Sequence, residues 1–229
     1  IDISSYKVDG KLALPMLLDR LKDVNALIRL GSLEVNVITE ELLKTLVSLP
    51  NFAPHFHLSL QSGDNEILKK MNRHYTADEF YDKVCLIRKY FPLANITTDV
   101  IVGFAGESVE QFENTKNFII KVGFSFVHIF PYSRREGTRA YNFEDLDVSI
   151  KKSRVDELEK VNLELRKNYL TQFVGKESSV IIEEKKEFYE GFSPEYIRCY
   201  VDSEVNPNER YKIKFRELYL DGMKVDIIK

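Results

Sequence analysis

Hydrophobic and polar positions over roughly the first 140 residues follow two alternating rhythms. Short apolar stretches at 27–30, 56–60, 96–102 and 125–130 read as strands. The segments between them carry helix start signals. Thr76 opens a capping box with Glu79, after which Phe80, Val84 and Ile87 fall on one helical face. Ser108 and Gln111 form a second box ahead of Phe112, Ile119 and Val122, with Gly123 placed as the C-cap. Thr39 caps a helix through Leu42, Leu43 and Leu46. Strands alternating with helices predict βα units and the α/β class.

The strand at 56–60 carries a second message. Phe56, Leu58 and Leu60 alternate with His57, Ser59 and Gln61, so one face is apolar and the other polar. The polar face looks either into the lumen of a barrel-like parallel sheet or, on an edge strand, into solvent. A long amphipathic helix is predicted over 148–173, with Val155, Leu158, Val161, Leu165 and Tyr169 at helical spacing, as a connector or a cover. After Gly175 the texture becomes short β runs at 178–182, 196–201, 211–215 and 223–228. Turn signals at Glu190-Gly191, Asn206-Pro207-Asn208 and Asp221-Gly222 separate them. The expected organisation is a partial (β/α) barrel over 1–146, a connecting helix over 147–173, and a small five-stranded or similar β-barrel over 174–229.

Composition narrows the setting. Hydrophobic residues at 44% and charged residues at 30% suit a globular protein with a real core. No leader peptide or membrane-spanning run is predicted, which points to the cytoplasm. A net charge of −3 argues against a dedicated DNA-binding domain but leaves room for RNA held by a local basic patch. Cys85 and Cys199 lie far apart, so neither a disulfide framework nor a ligand spacing is expected.

Three segments carry candidate chemistry. Thr97-Thr98-Asp99-Val100-Ile101-Val102-Gly103-Phe104-Ala105-Gly106-Glu107 runs a strand into a glycine turn, where backbone can approach a ligand or simply make a tight βα turn. His55 to Gly63, followed by Met71-Asn72-Arg73, places Gln61 and Ser62 at a strand end and Arg73 where it can meet a carboxylate or phosphate. His55 and His57 at i, i+2 lack a third ligand at metal-like spacing, so no metal site is predicted. Phe126 to Thr138 ends a strand in a loop bearing Arg134 and Arg135, set to meet phosphates or solvent.

Read in order, four stretches resemble the methylthiotransferase branch of the radical S-adenosylmethionine enzymes. They are Ile28 to Glu34, His57 to Gly63 with Met71 to Thr76, Asp99 to Phe104, and Phe130 to Thr138. The likeness covers almost all of 1–140, and the terminal β unit is more loosely similar to the RNA-binding TRAM module, an OB-like barrel. Ser32-Leu33-Glu34 and Phe130-Pro131-Tyr132-Ser133 resemble the MtaB type, which acts on N6-threonylcarbamoyladenosine beside the tRNA anticodon, over the types acting on isopentenyladenosine or a ribosomal protein. Ala105 and Arg139 stand where the family usually has proline, which puts turn rigidity in question.

The resemblance implies a tRNA-modifying transferase with S-adenosylmethionine and two 4Fe-4S clusters in the full-length protein. A 5′-deoxyadenosyl radical would take hydrogen from adenine C2, and a second cluster would supply sulfur. It also implies that Glu34, Gln61, Ser62, Arg73, Asp99, Ile101, Gly103, Phe104 and Phe130 meet S-adenosylmethionine. Arg134, Arg135, Tyr196, Arg198, Lys212, Lys214 and Arg216 are expected to contact the anticodon stem-loop, the last two with Lys212 sharing one strand face. The family's cluster cysteines are absent from this sequence, so it reads as a piece of a longer protein, inactive and free of iron by itself. The rival reading is a non-catalytic RNA-binding module. An aldolase-like barrel is disfavoured, because no lysine sits at a candidate strand end.

Overall fold

A computed structural model describes Ile3 and residues 6–228. A parallel sheet in the order β3-β4-β5-β6 forms the centre of the N-terminal part, from Ser32–Leu33, His55–Gln61, Asn95–Val102 and Phe126–Pro131. A small antiparallel pair, β1 (Lys7–Val8) and β2 (Lys11–Leu12), and helix α1 (Leu14–Asp19) precede it. Helices α2 (Glu40–Val47), α3 (Asn65–Lys70), α4 (Ala77–Tyr90) and α5 (Val109–Val122) connect the strands. The sheet's apolar face is closed: Phe56, Leu58, Leu60, Val100 and Val102 are 0% exposed, packed with Leu43, Phe80, Val84 and Ile87. The opposite face of β4 and β5 is half-buried at His57, Ser59, Gln61, Asp99 and Ile101.

The predicted caps form as expected. Thr39 accepts from Leu42 N–H, and both capping boxes, Thr76/Glu79 and Ser108/Gln111, are complete. Gly123 ends α5 at φ 63°, in the left-handed region. β4 lies inside the sheet, so its polar side is not that of an edge strand. The strand expected at 27–30 is a correction: only a bridge from Ile28 to Phe52 forms there, and the pairing strand is Ser32–Leu33.

Helix α6 (Val148–Thr171) is both connector and cover. Leu158 and Leu165 pack in the first core, while Tyr169 and Leu170 pack in a second with Phe173. On its sheet side, the Asn162 carboxamide accepts from Val127 N–H at 2.8 Å and donates to Val127 O at 2.9 Å. It thereby imitates a paired strand along the outer side of β6, and Pro131, also in β6, brings no N–H to that strand.

The second core lies inside a closed barrel, β10-β11-β9-β8-β7 in spatial order. Its strands are β7 (Glu177–Lys185), β8 (Tyr189–Phe192), β9 (Arg198–Val201), β10 (Arg210–Tyr219) and β11 (Gly222–Ile227). Glu190-Gly191 is not a turn, as its composition suggested, but the middle of β8. A Cβ on Gly191 would sit 1.9 Å from Ile181 O, so glycine is there for close backbone approach.

Candidate functional site

The half-buried face of the parallel sheet brings its side chains together in rows. Register aligns Thr97 with His57 and Phe126, Asp99 with His128, and Ile101 with Phe130. At the upper end β4 stops in a bulge, where Thr98 Oγ1 donates to Leu58 O and accepts from Leu60 N–H. Gln61, at φ 70°, follows directly. The upper row is therefore an amide beside two apolar side chains, with Phe130 50% exposed.

Below it sits a polar cluster. His57 Nδ1 lies 2.9 Å from Thr97 Oγ1 and His57 Nε2 3.2 Å from Asp99 Oδ2. His55 Nε2 also reaches Thr97 Oγ1 at 2.9 Å, and Arg29 Nη1 donates to His55 Nδ1 at 3.1 Å. Burial first, then the Arg29 charge, lowers the His55 pKa to about 3. Burial lowers His128 as well. His57, Asp99 and His128 offer ligand atoms within 4.8 Å of one another, a convergence missed by counting spacings along one strand. Extending the period-two face across 95–101 and 126–130 would have found it.

Beneath this face a cavity of about 1020 Å³ opens between the sheet, α6 and the terminal barrel, with Arg29, His55, Phe126, Arg166 and Tyr196 among its walls. Tyr196 (φ 57°) is sandwiched in a stack, its ring 4.7 Å from both His55 and Phe192, with the Arg29 guanidinium 4.4 Å away.

The glycine turn is clamped by α6. Gly103 has φ 68°, and a Cβ there would come within 2.6 Å of Lys151 Cγ. Gly103 N–H donates to Glu107 Oε2 at 2.8 Å, and Glu107 pairs with Arg154 with both side chains nearly out of solvent. Burial raises the Glu107 carboxyl despite Arg154. Ala105 is 2% exposed, and these bonds hold the turn without proline.

The expected cofactor residues divide. Gln61, Asp99, Ile101 and Phe130 share the half-buried face of the sheet, with Gly103 just beyond the end of β5. Glu34 and Arg73 instead pair with each other at 3.1 Å beside a separate shallow cavity of about 340 Å³. Ser62 is fully buried and bonds Thr115 Oγ1 at 3.0 Å, which places it against α5. Phe104 is 4% exposed and packs edge-on to Tyr132.

Several of the residues expected to contact RNA are engaged within the fold. Tyr196 is held in the domain stack. Arg198 is paired with Glu190 and Asp221, and Arg216 with Asp202 and Asp226. Arg134 donates to Phe143 O within its own loop. Lys212 and Lys214 do share an exposed face, but Glu177 and Asp226 stand across from Lys214, so the stripe is mixed in charge. Arg135 is exposed. An aromatic cluster of Phe188, Tyr200 and Tyr219, at 5.1–6.0 Å and capped by Lys224, was not legible because its members come from the bend before β8, from β9 and from β10.

Residues 9–119 match the Radical SAM superfamily. The chain is 41% identical over 194 residues to threonylcarbamoyladenosine tRNA methylthiotransferase MtaB of Aquifex aeolicus, covering 83% of this chain and 47% of the relative. It is 31% identical to tRNA-2-methylthio-N(6)-dimethylallyladenosine synthase of Thermodesulfovibrio yellowstonii (99% and 54% covered). Ribosomal protein uS12 methylthiotransferase RimO of Thermotoga petrophila is 36% identical (81% and 44% covered). Coproporphyrinogen III oxidase (HemN) of Escherichia coli superposes with a TM-score of 0.54 at 14% identity, over 66% of this chain and 37% of that one, a likeness of fold. Over residues 9–119 the chain is thus similar to the radical SAM superfamily. Within it, the curated relatives at 37–41% identity over most of the chain are tRNA methylthiotransferases of the MtaB type. The chain spans about half the length of the curated relatives it matches.

Proposed function

We propose that the whole protein is a tRNA methylthiotransferase that acts at C2 of N6-threonylcarbamoyladenosine in the anticodon stem-loop, in the cytoplasm. The observation that carries this reading is the 41% identity to the Aquifex MtaB, ahead of the relatives acting on dimethylallyladenosine or uS12. In this reading the parallel sheet is part of a TIM-like barrel over 1–146, joined by 147–173 to a TRAM-like, OB-type barrel over 174–229.

The donor set of the lumen suits S-adenosylmethionine. Gln61 offers an amide, Asp99 a carboxylate, and Ile101 and the exposed Phe130 an apolar wall for an adenine ring. We assign these four, with Gly103, to its binding. S-adenosylmethionine, when bound, supplies the radical-forming and methyl-donating chemistry. Iron–sulfur ligation does not suit these residues: Cys85 is exposed on α4, and Cys199 is buried in the terminal barrel with its thiol pushed well up by burial. The clusters therefore belong to other segments of the whole protein, and residues 1–229 alone are inactive. For RNA, the exposed Arg135, Lys212 and Lys214 and the half-buried Phe188 and Tyr219 are the candidates that their own fold leaves accessible.

Mass spectrometry of tRNA nucleosides from cells with and without the gene tests the proposal. The expected result is loss of the 2-methylthio group on threonylcarbamoyladenosine, restored by the intact gene and not by residues 1–229. Loss on isopentenyladenosine instead would overturn the substrate. No change in either nucleoside would overturn the tRNA reading.

A further inference from the structure

The contacts across the lumen floor have a direction that their chemistry dictates. Arg29 can only donate, so His55 Nδ1 at 3.1 Å must be a lone pair. Neutral His55 then carries its proton on Nε2 and donates it to Thr97 Oγ1 at 2.9 Å. The Thr97 hydroxyl accepts that proton and has one of its own to give. Its remaining contact is His57 Nδ1 at 2.9 Å, so that nitrogen accepts. The His57 proton is thereby placed on Nε2, facing Asp99 Oδ2 at 3.2 Å. Every link runs the same way. The opposite assignment at Thr97, with both imidazoles donating, would leave a buried hydroxyl proton without an acceptor.

We propose that Arg29, His55, Thr97 and His57 form a one-way hydrogen-bond relay that positions Asp99 as an acceptor for a hydroxyl or amine of the ligand bound in the lumen. The four are positioning residues. Among the described residues no protein donor reaches Asp99 Oδ1, and the side chain is 30% exposed, so this oxygen is available to the ligand. The start of the relay is seated by the terminal barrel, through the Tyr196 ring stacked on His55 and under Arg29. Burial beside Arg29, with His57, His128 and Arg166 also facing it, keeps His55 neutral down to about pH 3. The competing use of this cluster, a cation held between His57, Asp99 and His128, needs the His57 Nε2 lone pair that the relay fills with a proton.

The relay occupies the proposed cofactor lumen, but its test reads imidazole protons, so failure of the methylthiotransferase reading leaves it standing. The chain has four histidines, which keeps a long-range 1H–15N correlation spectrum simple. His55 and His57 should each show a single tautomer, protonated at Nε2. Thr97→Val should release His57 into two interconverting tautomers while His55 keeps its own, and Thr97→Ser should preserve both. Added zinc should leave the His57 and His128 signals in place. A wild-type His57 protonated at Nδ1, an unchanged His57 in Thr97→Val, or zinc-dependent shifts of His57 and His128 would each overturn the relay. If Thr97→Val does not fold, the wild-type proton positions, Thr97→Ser and the zinc titration still decide.

Discussion

Replacing Arg154 by alanine takes away the cation that faces the Glu107 carboxylate. Glu107 is 0% exposed, its Oε1 has no partner, and its Oε2 would keep only the Gly103 N–H, with the like charge of Asp64 nearby. Breaking a buried pair from one side costs about 3–5 kcal/mol, because the remaining charge stays desolvated. The pH dependence has a definite sign. Burial holds the folded-state Glu107 pKa above its ordinary value of 4.5, so the folded chain binds this proton more tightly than the unfolded chain. The stability it contributes is present in acid and lost as pH rises through the folded pKa. Removing Arg154 moves that folded pKa further up. The loss is therefore full at neutral pH and shrinks as Glu107 takes up a proton. Urea unfolding followed by far-UV circular dichroism, at about pH 7 and again at about pH 5, measures both. Arg154→Met combined with Glu107→Gln should recover more than half of the loss, since no charge is then stranded. A cost below about 1 kcal/mol at neutral pH, or one unchanged in acid, would refute the reasoning.

Gly191→Ala drives a Cβ to 1.9 Å from Ile181 O and should cost about 1–3 kcal/mol or more, read as a fall in the urea midpoint of the terminal barrel. Asn162→Leu strips the Val127 N–H and C=O of their partners and should cost about 1–3 kcal/mol for each group left unsatisfied, with faster amide exchange at Val127. Phe130→Ala should leave stability within about 0.5 kcal/mol, because the ring is half exposed. The same change should weaken S-adenosylmethionine binding by the whole protein about tenfold, measured by calorimetry.

Helices and inner strands were legible because their signals are local. A side-chain oxygen three residues before an acidic or amide side chain needs no tertiary context to cap a helix, and Thr76 and Ser108 do so. The expected runs 56–60 and 96–102 lie within His55–Gln61 and Asn95–Val102. The strand expected at 27–30 failed because an apolar run says nothing about whether a neighbour offers its backbone. Gly191 misled for a similar reason: turn and close approach both select glycine, and only the position of Ile181 O separates them. At the site, the polar face of β4 was readable, whereas the meeting of His57 with Asp99 and His128 depends on register between strands. The burial of Lys151, Arg154 and Asn162 on α6 ran against their polarity and rests on partners far away in sequence.

The Asn162 side chain on Val127, together with Pro131, gives the parallel sheet a finished margin at β6. A fifth strand arriving there would have to displace the helix and would find a proline where it needs a donor. The opposite margin, β3, is two residues long and carries no such seal on its outer side among the described residues. Enlargement of this sheet is therefore directional. An added strand would find room beside Ser32–Leu33 and a helix in its way at β6, like a doorway with one jamb already fixed.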